Sequence, residues 1–167
     1  MIDPKLFLEF LKNRITIRSF QEKMISDKDI KMILEAGRWA PSASNRQPWE
    51  FIVIKNKEKK QELAKLASYG QFLGDAPIVI AIIGKIKQNP RWYIQDTSLV
   101  SMNMMLMAWA LGIGTCWIGT MDREKAKKSL KLGENDFVLT ILPMGYIKGE
   151  IPEPTYRKGL EKITKEI

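Results

Sequence analysis

The segment Pro77-Ile-Val-Ile-Ala-Ile-Ile83 carries no polar side chain. A strand with one wet face alternates apolar and polar residues, so an unbroken apolar run means a strand covered on both sides. Something must therefore lie above and below it. The flanking sequence supplies helices. Ile30, Ile33, Leu34 and Gly37 repeat at helical spacing behind Ser26-Asp27-Lys28-Asp29, an acidic start suited to a helix N-terminus, and Pro41 ends that helix. Glu50–Lys55 reads as a second strand, and Lys57–Ser68 as a helix with Leu63, Leu66 and Ala67 inward. A long helix is expected from about Arg91 to Leu111, then a turn and short strand over Gly112–Gly119. Asp122 caps a helix through Ala126 and Leu130, and Phe137–Ile147 is the last long strand, with Pro143 marking a bulge or an edge. Helices interleaved with central strands give an α/β or α+β class, with a sheet covered on both faces.

The ends differ from this middle. Met1–Asn13 mixes Asp3, Lys5, Glu9 and Lys12 with apolar residues, so it is no signal peptide and reads as an amphipathic helix through Phe7, Phe10 and Leu11. After Gly149, Pro152, Pro154 and many charges make an extended tail, of the kind that frays or wraps a partner. No repeat or linker divides residues 1–167, and a single domain is expected. Thr97–Met121 carries no charge and is long enough to cross a bilayer, but Ser98, Ser101, Asn103, Thr115 and its glycines favour a buried helix. The expected location is cytoplasmic.

Composition narrows the chemistry. The chain has no histidine, which excludes histidine-based triads, histidine-ligated zinc and a histidine general base. Its lone cysteine, Cys116, excludes internal disulfides, paired-cysteine redox motifs and cysteine-ligated iron–sulfur clusters. No metal site is expected, and any redox chemistry must be done largely by a bound cofactor. The net charge of +8 invites a nucleic-acid reading. The densest run, Lys55–Lys60, instead opens an amphipathic helix, with no aromatic RNA-binding signature or zinc finger beside it. A solvated lysine-rich surface is the simpler account, though it would also attract phosphate-bearing small molecules.

Three short segments stand out. In an extended Arg14-Ile-Thr-Ile-Arg18, Arg14, Thr16 and Arg18 share one face while Ile15 and Ile17 anchor the other. The end positions lie about 13 Å apart, which suits an elongated ligand with a phosphate at one end. Basic residues alternating with isoleucine also describe any edge strand. In Ala40-Pro-Ser-Ala-Ser-Asn-Arg-Gln-Pro-Trp49, two prolines bracket a loop rich in hydrogen-bonding groups, between a helix and a strand. Leu111-Gly-Ile-Gly-Thr-Cys-Trp-Ile-Gly119 imitates a dinucleotide fingerprint but fails it. Trp117 stands at the third glycine position, and the turn leaves a helix for a strand. What remains is a glycine-flanked strand end where backbone can approach a flat ligand. Cys116 reads as a packed small hydrophobe, with no base or helix N-terminus to activate it.

Together and in order, these segments resemble the FMN-dependent nitroreductases. The likeness runs through Arg14–Arg18, Ala36-Gly-Arg-Trp-Ala-Pro41, Ser42-x-x-Asn45-x-Gln47-Pro-Trp49 and Asp75-Ala-Pro77. It continues with Gly112-x-Gly114-x-x-Trp117-Ile-Gly119, Leu142-Pro-Met-Gly-Tyr146 and Arg157-Lys158, covering essentially residues 10–160. The resemblance implies an α+β nitroreductase-like fold: a mostly antiparallel sheet under helices on both faces, with the tail from about residue 150 wrapping the partner of a homodimer. It implies FMN at the dimer interface, lined by both chains, with Arg14, Arg157 and Lys158 on the phosphate. Ile15 stands where many relatives carry a second basic residue or histidine, which thins those contacts. Thr16 keeps the hydroxyl of the family's usual serine, and Arg18 would face the pyrimidine end of the ring, where negative charge grows on reduction. The loop of Pro41, Ser42, Asn45 and Gln47 would reach the ring edge or ribityl chain. Cys116, Trp117, Ile118 and Gly119 would turn backbone N–H groups toward N5 and O4.

The implied activity is ping-pong hydride transfer from NADH or NADPH through FMN to an electron-poor acceptor such as a nitroaromatic or quinone, with no side-chain nucleophile. No helical excursion covers the site. Only about Tyr69–Gly74 and Lys85–Trp92 could form a lid, with Phe72, Trp92 and Tyr93 as candidate walls. Flavin fragmentation and reductive dehalogenation on the same fold need lid elements that are not evident here. A non-catalytic basic flavin- or nucleic-acid-binding protein is the remaining alternative.

Overall fold

The computed structural model describes residues 2–167. Four strands, β1 (Trp49–Ile54), β2 (Ile78–Lys85), β3 (Ile113–Thr115) and β4 (Asp136–Tyr146), pair antiparallel in the order β1-β2-β4-β3. The apolar run is β2, at the centre. Its side chains alternate between two cores: Val79, Ala81 and Ile83 face one, and Ile78, Ile80 and Ile82 the other. All six are 0% exposed, which explains why the run has no polar phase. Each isoleucine so buried contributes about 1.5–3 kcal/mol.

The first core is closed by α3 (Lys57–Ala64) through Leu63 and Ala64, and by α5 (Arg123–Ser129) through Ala126. The second is closed by α2 (Asp27–Arg38) through Ile30 and Ile33, and by α4 (Tyr93–Ala110) through Val100, Met104 and Ala108. Gly37 lets α2 and α4 touch, since a Cβ there would sit 2.8 Å from Met104 Cγ. The architecture is the α+β sheet under helices on both faces. Ser26 caps α2 through the Asp29 N–H, and Asp122 caps α5 through the Lys125 N–H.

Some boundaries move. The helix expected over Lys57–Ser68 ends at Ala64, because Ala67 leaves it to bridge Met121 and the Ser68 N–H bonds the Thr120 carbonyl. Pro143 marks neither a bulge nor an edge strand. The bulge lies where Ile82 and Ile83 of β2 pair with Thr140 and Val138, and β4 is paired on both sides. The Ile118 N–H bonds the Ile141 carbonyl, so alternate residues of β4 turn their polar groups to the β3 side. Pro143 faces the interruption between the Met144–Thr115 and Ile141–Ile118 pairs, where no N–H is required.

The two ends of the chain stand apart from both cores. α1 (Pro4–Asn13), capped by Asp3, contains no buried residue, although Phe7 and Phe10 stack with centroids 6.3 Å apart. Between α1, α2 and α4 runs an apolar trough of about 1440 Å³, walled by Leu6, Phe7, Met32, Trp39 and Leu106. The tail from residue 149 is exposed but for a half-buried Gly159, and extended apart from one turn at Leu160–Lys162, with Tyr156 79% and Leu160 75% exposed.

Candidate active site

The basic segment forms where α1 stops. Arg14 is the extended C-cap residue, and the chain then runs beside β3, with Thr16 bridging Thr115 in parallel and the Ile17 N–H donating to the Thr115 carbonyl at 2.9 Å. Ile15 and Ile17 enter the first core, as their alternation predicts, while Arg14, Thr16 and Arg18 turn outward. Ile15 therefore has only its backbone to offer a ligand. The close approach depends on Gly114, where a Cβ would sit 2.6 Å from Ile17 Cβ.

This surface is arranged for an anion. Nη1 of Arg14 is buried with no hydrogen-bond partner, the one such side-chain atom among the described residues. Burial, and then the neighbouring Arg157, push the Arg14 guanidinium below its ordinary value. Two cations facing each other around an unused buried donor fit a phosphate, which would neutralise both and accept the bond. Arg157 otherwise bonds only its own neighbours, Thr155 and Tyr156. Lys158 is exposed and makes no contact that places it at this site.

Cys116 follows directly and is 4% exposed. Burial pushes its thiol up, against the pull first of Arg18 and then of Arg14, so it packs beneath the basic face as a neutral group. The next residues are tied down through their carbonyls. Thr140 Oγ1 donates to the Ile118 carbonyl at 3.1 Å, and Arg123 Nη2 to the Gly119 carbonyl at 2.8 Å. The N–H groups of Trp117 and Gly119 are taken by no acceptor among the described residues. Two free backbone donors beside a half-exposed tryptophan suit the polar edge of a flat ring. The buried Ile118 side chain is an anchor.

The proline-bracketed loop makes a short 3-10 turn, Ala43–Asn45, with Ser42 Oγ accepting from the Gln47 N–H at 3.0 Å. Gln47 Nε2 reaches the Asn45 side chain at 3.2 Å, and both amides are exposed. Pro41 closes α2 and adds no bond. This loop does not meet the basic face of the same chain. It leads into Trp49, paired with Gly84 and through it with Phe137, whereas Thr16 lies outside Thr115, paired with Met144. The two are at diagonally opposite corners of the sheet, roughly 30 Å apart by strand spacing and rise. None of the anticipated cofactor residues lines the apolar trough either.

Of the lid candidates, Phe72 packs on the first core and Tyr93 sits edge-on to Phe137 at 5.4 Å, leaving Trp92, 49% exposed. Sequence reasoning missed Arg123, Thr140 and Asp96, whose carboxylate holds the Ala43 N–H. Asp96 had a faint signal, as the last charge before the charge-free run from Thr97.

The Nitroreductase family model matches residues 11–146. A relative in Archaeoglobus fulgidus, which carries the provisional name NADH dehydrogenase/NAD(P)H nitroreductase, is 37% identical over 150 residues, 86% of each chain. The solved structure of an FMN-dependent nitroreductase from Clostridium difficile superposes with a TM-score of 0.81 at 32% identity, covering 86% of this chain and 88% of that one. A Parabacteroides distasonis structure superposes at 0.91, covering 96% and 97%, with 24% identity, a likeness of fold alone.

Proposed function

The chain belongs to the nitroreductase family, and from that premise we propose an FMN-dependent NAD(P)H oxidoreductase acting as a homodimer. The observation that carries the reading is the placement of the two half-sites. An anion-ready face and a polar loop at opposite corners of one sheet, too far apart for one FMN, become one site when the loop of one copy meets the face of another. An α1 without buried residues, a bare apolar trough and an exposed tail are what a chain presents when its partner supplies the cover.

Bound there, FMN supplies two-electron exchange between a nicotinamide and an electron-poor acceptor such as a nitroaromatic or quinone. Arg14 and Arg157 would hold the phosphate, with Lys158 joining them from the exposed tail once the cofactor is bound, and Thr16 would add a hydroxyl. Arg18 places positive charge where the ring becomes anionic on reduction, which favours the reduced form. Trp117 and Gly119 direct their free N–H groups at the ring edge, and Asn45 and Gln47 of the second copy close it. The whole chain acts as one catalytic domain, in the cytoplasm where nicotinamide reductants are at hand; no helix among the described residues is long and apolar enough to cross a membrane.

Anaerobic titration tests this. The purified protein is expected to be yellow or to become so with added FMN, to bleach with NADH or NADPH, and to recolour with a nitroaromatic or quinone. A dimer is expected by sedimentation. A protein that takes up no FMN refutes the reading; one that binds FMN but is bleached by neither nicotinamide refutes the reductant.

A further inference from the structure

The loop at the second half-site is held in an uncommon shape. Ser44, Asn45 and Gln47 have φ of 55°, 53° and 51°, a left-handed region that L-residues keep only where the surroundings over-determine it. The bonds within the loop, from Asn45 N–H to the Ser42 carbonyl, Arg46 N–H to the Ala43 carbonyl and Gln47 N–H to Ser42 Oγ, close it on itself without fixing it to the body. Asp96 makes the buried attachment, while on the exposed side Arg46 Nη1 donates a long bond of 3.4 Å to the Gln88 carbonyl. Asp96 lies in the first turn of α4 and is 3% exposed. One carboxylate oxygen accepts from the Ala43 N–H at 3.0 Å, the other from Asn89 Nδ2 at 2.8 Å. Asn89 is equally buried, and its carbonyl accepts from Trp92 and Tyr93 as α4 begins.

A buried carboxylate is a costly way to close a passive connection, for which an apolar contact would serve. What it supplies is direction: two acceptors at fixed angles that admit one arrangement of loop and turn. We propose that Asp96 is a positioning residue for the cofactor site. By bridging the Ala43 N–H and the Asn89 amide it locks the 42–47 loop in its left-handed form, so that Asn45 and Gln47 are presented ready-made, and joins that loop to the turn carrying the exposed Trp92. The inference rests on the proposed FMN site for its consequence and on the loop alone for its cause.

The test compares Asp96→Ala, Asn89→Asp and the exchanged pair N89D/D96N in the full-length protein. In the exchanged pair Asn at 96 still accepts from Ala43 and donates its NH₂ to Asp at 89, restoring both bonds. The first readout is amide hydrogen exchange without cofactor. Asp96→Ala should speed exchange at Ala43 and Gln47 about tenfold or more while β2 and β4 amides keep their rates. The second is FMN affinity by quenching of flavin fluorescence. Because the apparent dissociation constant rises as the competent population falls, Asp96→Ala should weaken binding about 10–100-fold. Asn89→Asp, which sets two carboxylates face to face, should act in the same direction. The exchanged pair should return both readouts to within about threefold of wild type.

Unchanged loop exchange, uniform acceleration of all amides, unchanged FMN affinity despite a loosened loop, or failure of the exchanged pair to rescue would each overturn the proposal. If Asp96→Ala does not fold, Asn89→Asp and its rescue carry the same comparison. Wild-type protein that binds no FMN refutes the proposed function instead, and the exchange rates still decide whether Asp96 holds the loop.

Discussion

Replacing Arg14 with Met should make the cofactor-free protein more stable and the cofactor-bound protein less so. Without an anion, Arg14 has a buried Nη1 that bonds nothing, in a guanidinium depressed by burial and by Arg157. Leaving such a donor unmade costs about 1–3 kcal/mol. Arg14 is only half-buried and Arg157 is exposed, so screening holds their repulsion below about 1 kcal/mol. Met keeps most of the packing stem and discards the orphan donor. The expected net gain is about 1–2 kcal/mol, a rise in Tm of about 2–8 °C at fixed subunit concentration. FMN would lose a charge-assisted phosphate contact of about 1.5–3 kcal/mol, weakening it roughly 10–150-fold. Calorimetry of stripped protein across an FMN titration reads both effects, as melting curves that cross: the variant melts higher without FMN and lower at saturation. A variant that melts lower than wild type without FMN, or binds FMN equally well, refutes the account of Arg14 as an unsatisfied phosphate ligand.

Gly114→Ala should cost about 1–3 kcal/mol by overpacking, because the new Cβ would lie 2.6 Å from Ile17 Cβ and push the basic segment off β3. Urea midpoints measure this; no shift would mean the segment is not pinned there. Cys116 should resist alkylation near neutral pH, since burial raises its thiol above the ordinary value despite the pull of Arg18 and Arg14. A thiol that ionises more easily unfolded than folded lowers stability as pH rises past that ordinary value, because the unfolded state then holds fewer protons. Cys116→Ala should therefore flatten part of the alkaline loss of stability in a pH series of denaturant midpoints; identical alkaline slopes would contradict it.

What the sequence made legible was whatever burial dictates within one chain. The β2 run could be read because a strand between two cores admits no polar phase, and Arg14–Arg18 because its alternation splits core from surface. The end of α3 was illegible because Leu66 and Ala67 continue a helical spacing while the chain has turned to bridge Met121. Pro143 misled because its missing N–H meets a gap created by segments distant in sequence. Asp96 was hidden for the same reason, its partner Ala43 lying on another element.

The amphipathic reading of Met1–Asn13 exposes a deeper limit. Phe7 and Phe10 have the periodicity of a buried face, yet among the described residues nothing completes its cover: Phe10 is half-buried and Phe7 exposed. Periodicity reports that a surface must be covered, never which molecule covers it. The same applies to the site. Side by side in the motif order, Arg14–Arg18 and Ser42–Gln47 look like parts of one pocket, and the sheet register puts them at opposite corners. On the proposed reading, a lone copy could hold an anion at Arg14 without orienting a ring, or orient a ring at Asn45 without holding its phosphate. Binding of the cofactor and association of the copies then become linked equilibria, each drawing the other forward. Part of the +8 charge finds its reason there: Arg14 and Arg157 repel each other in the free chain, a cost that makes sense only where an anion arrives to remove it.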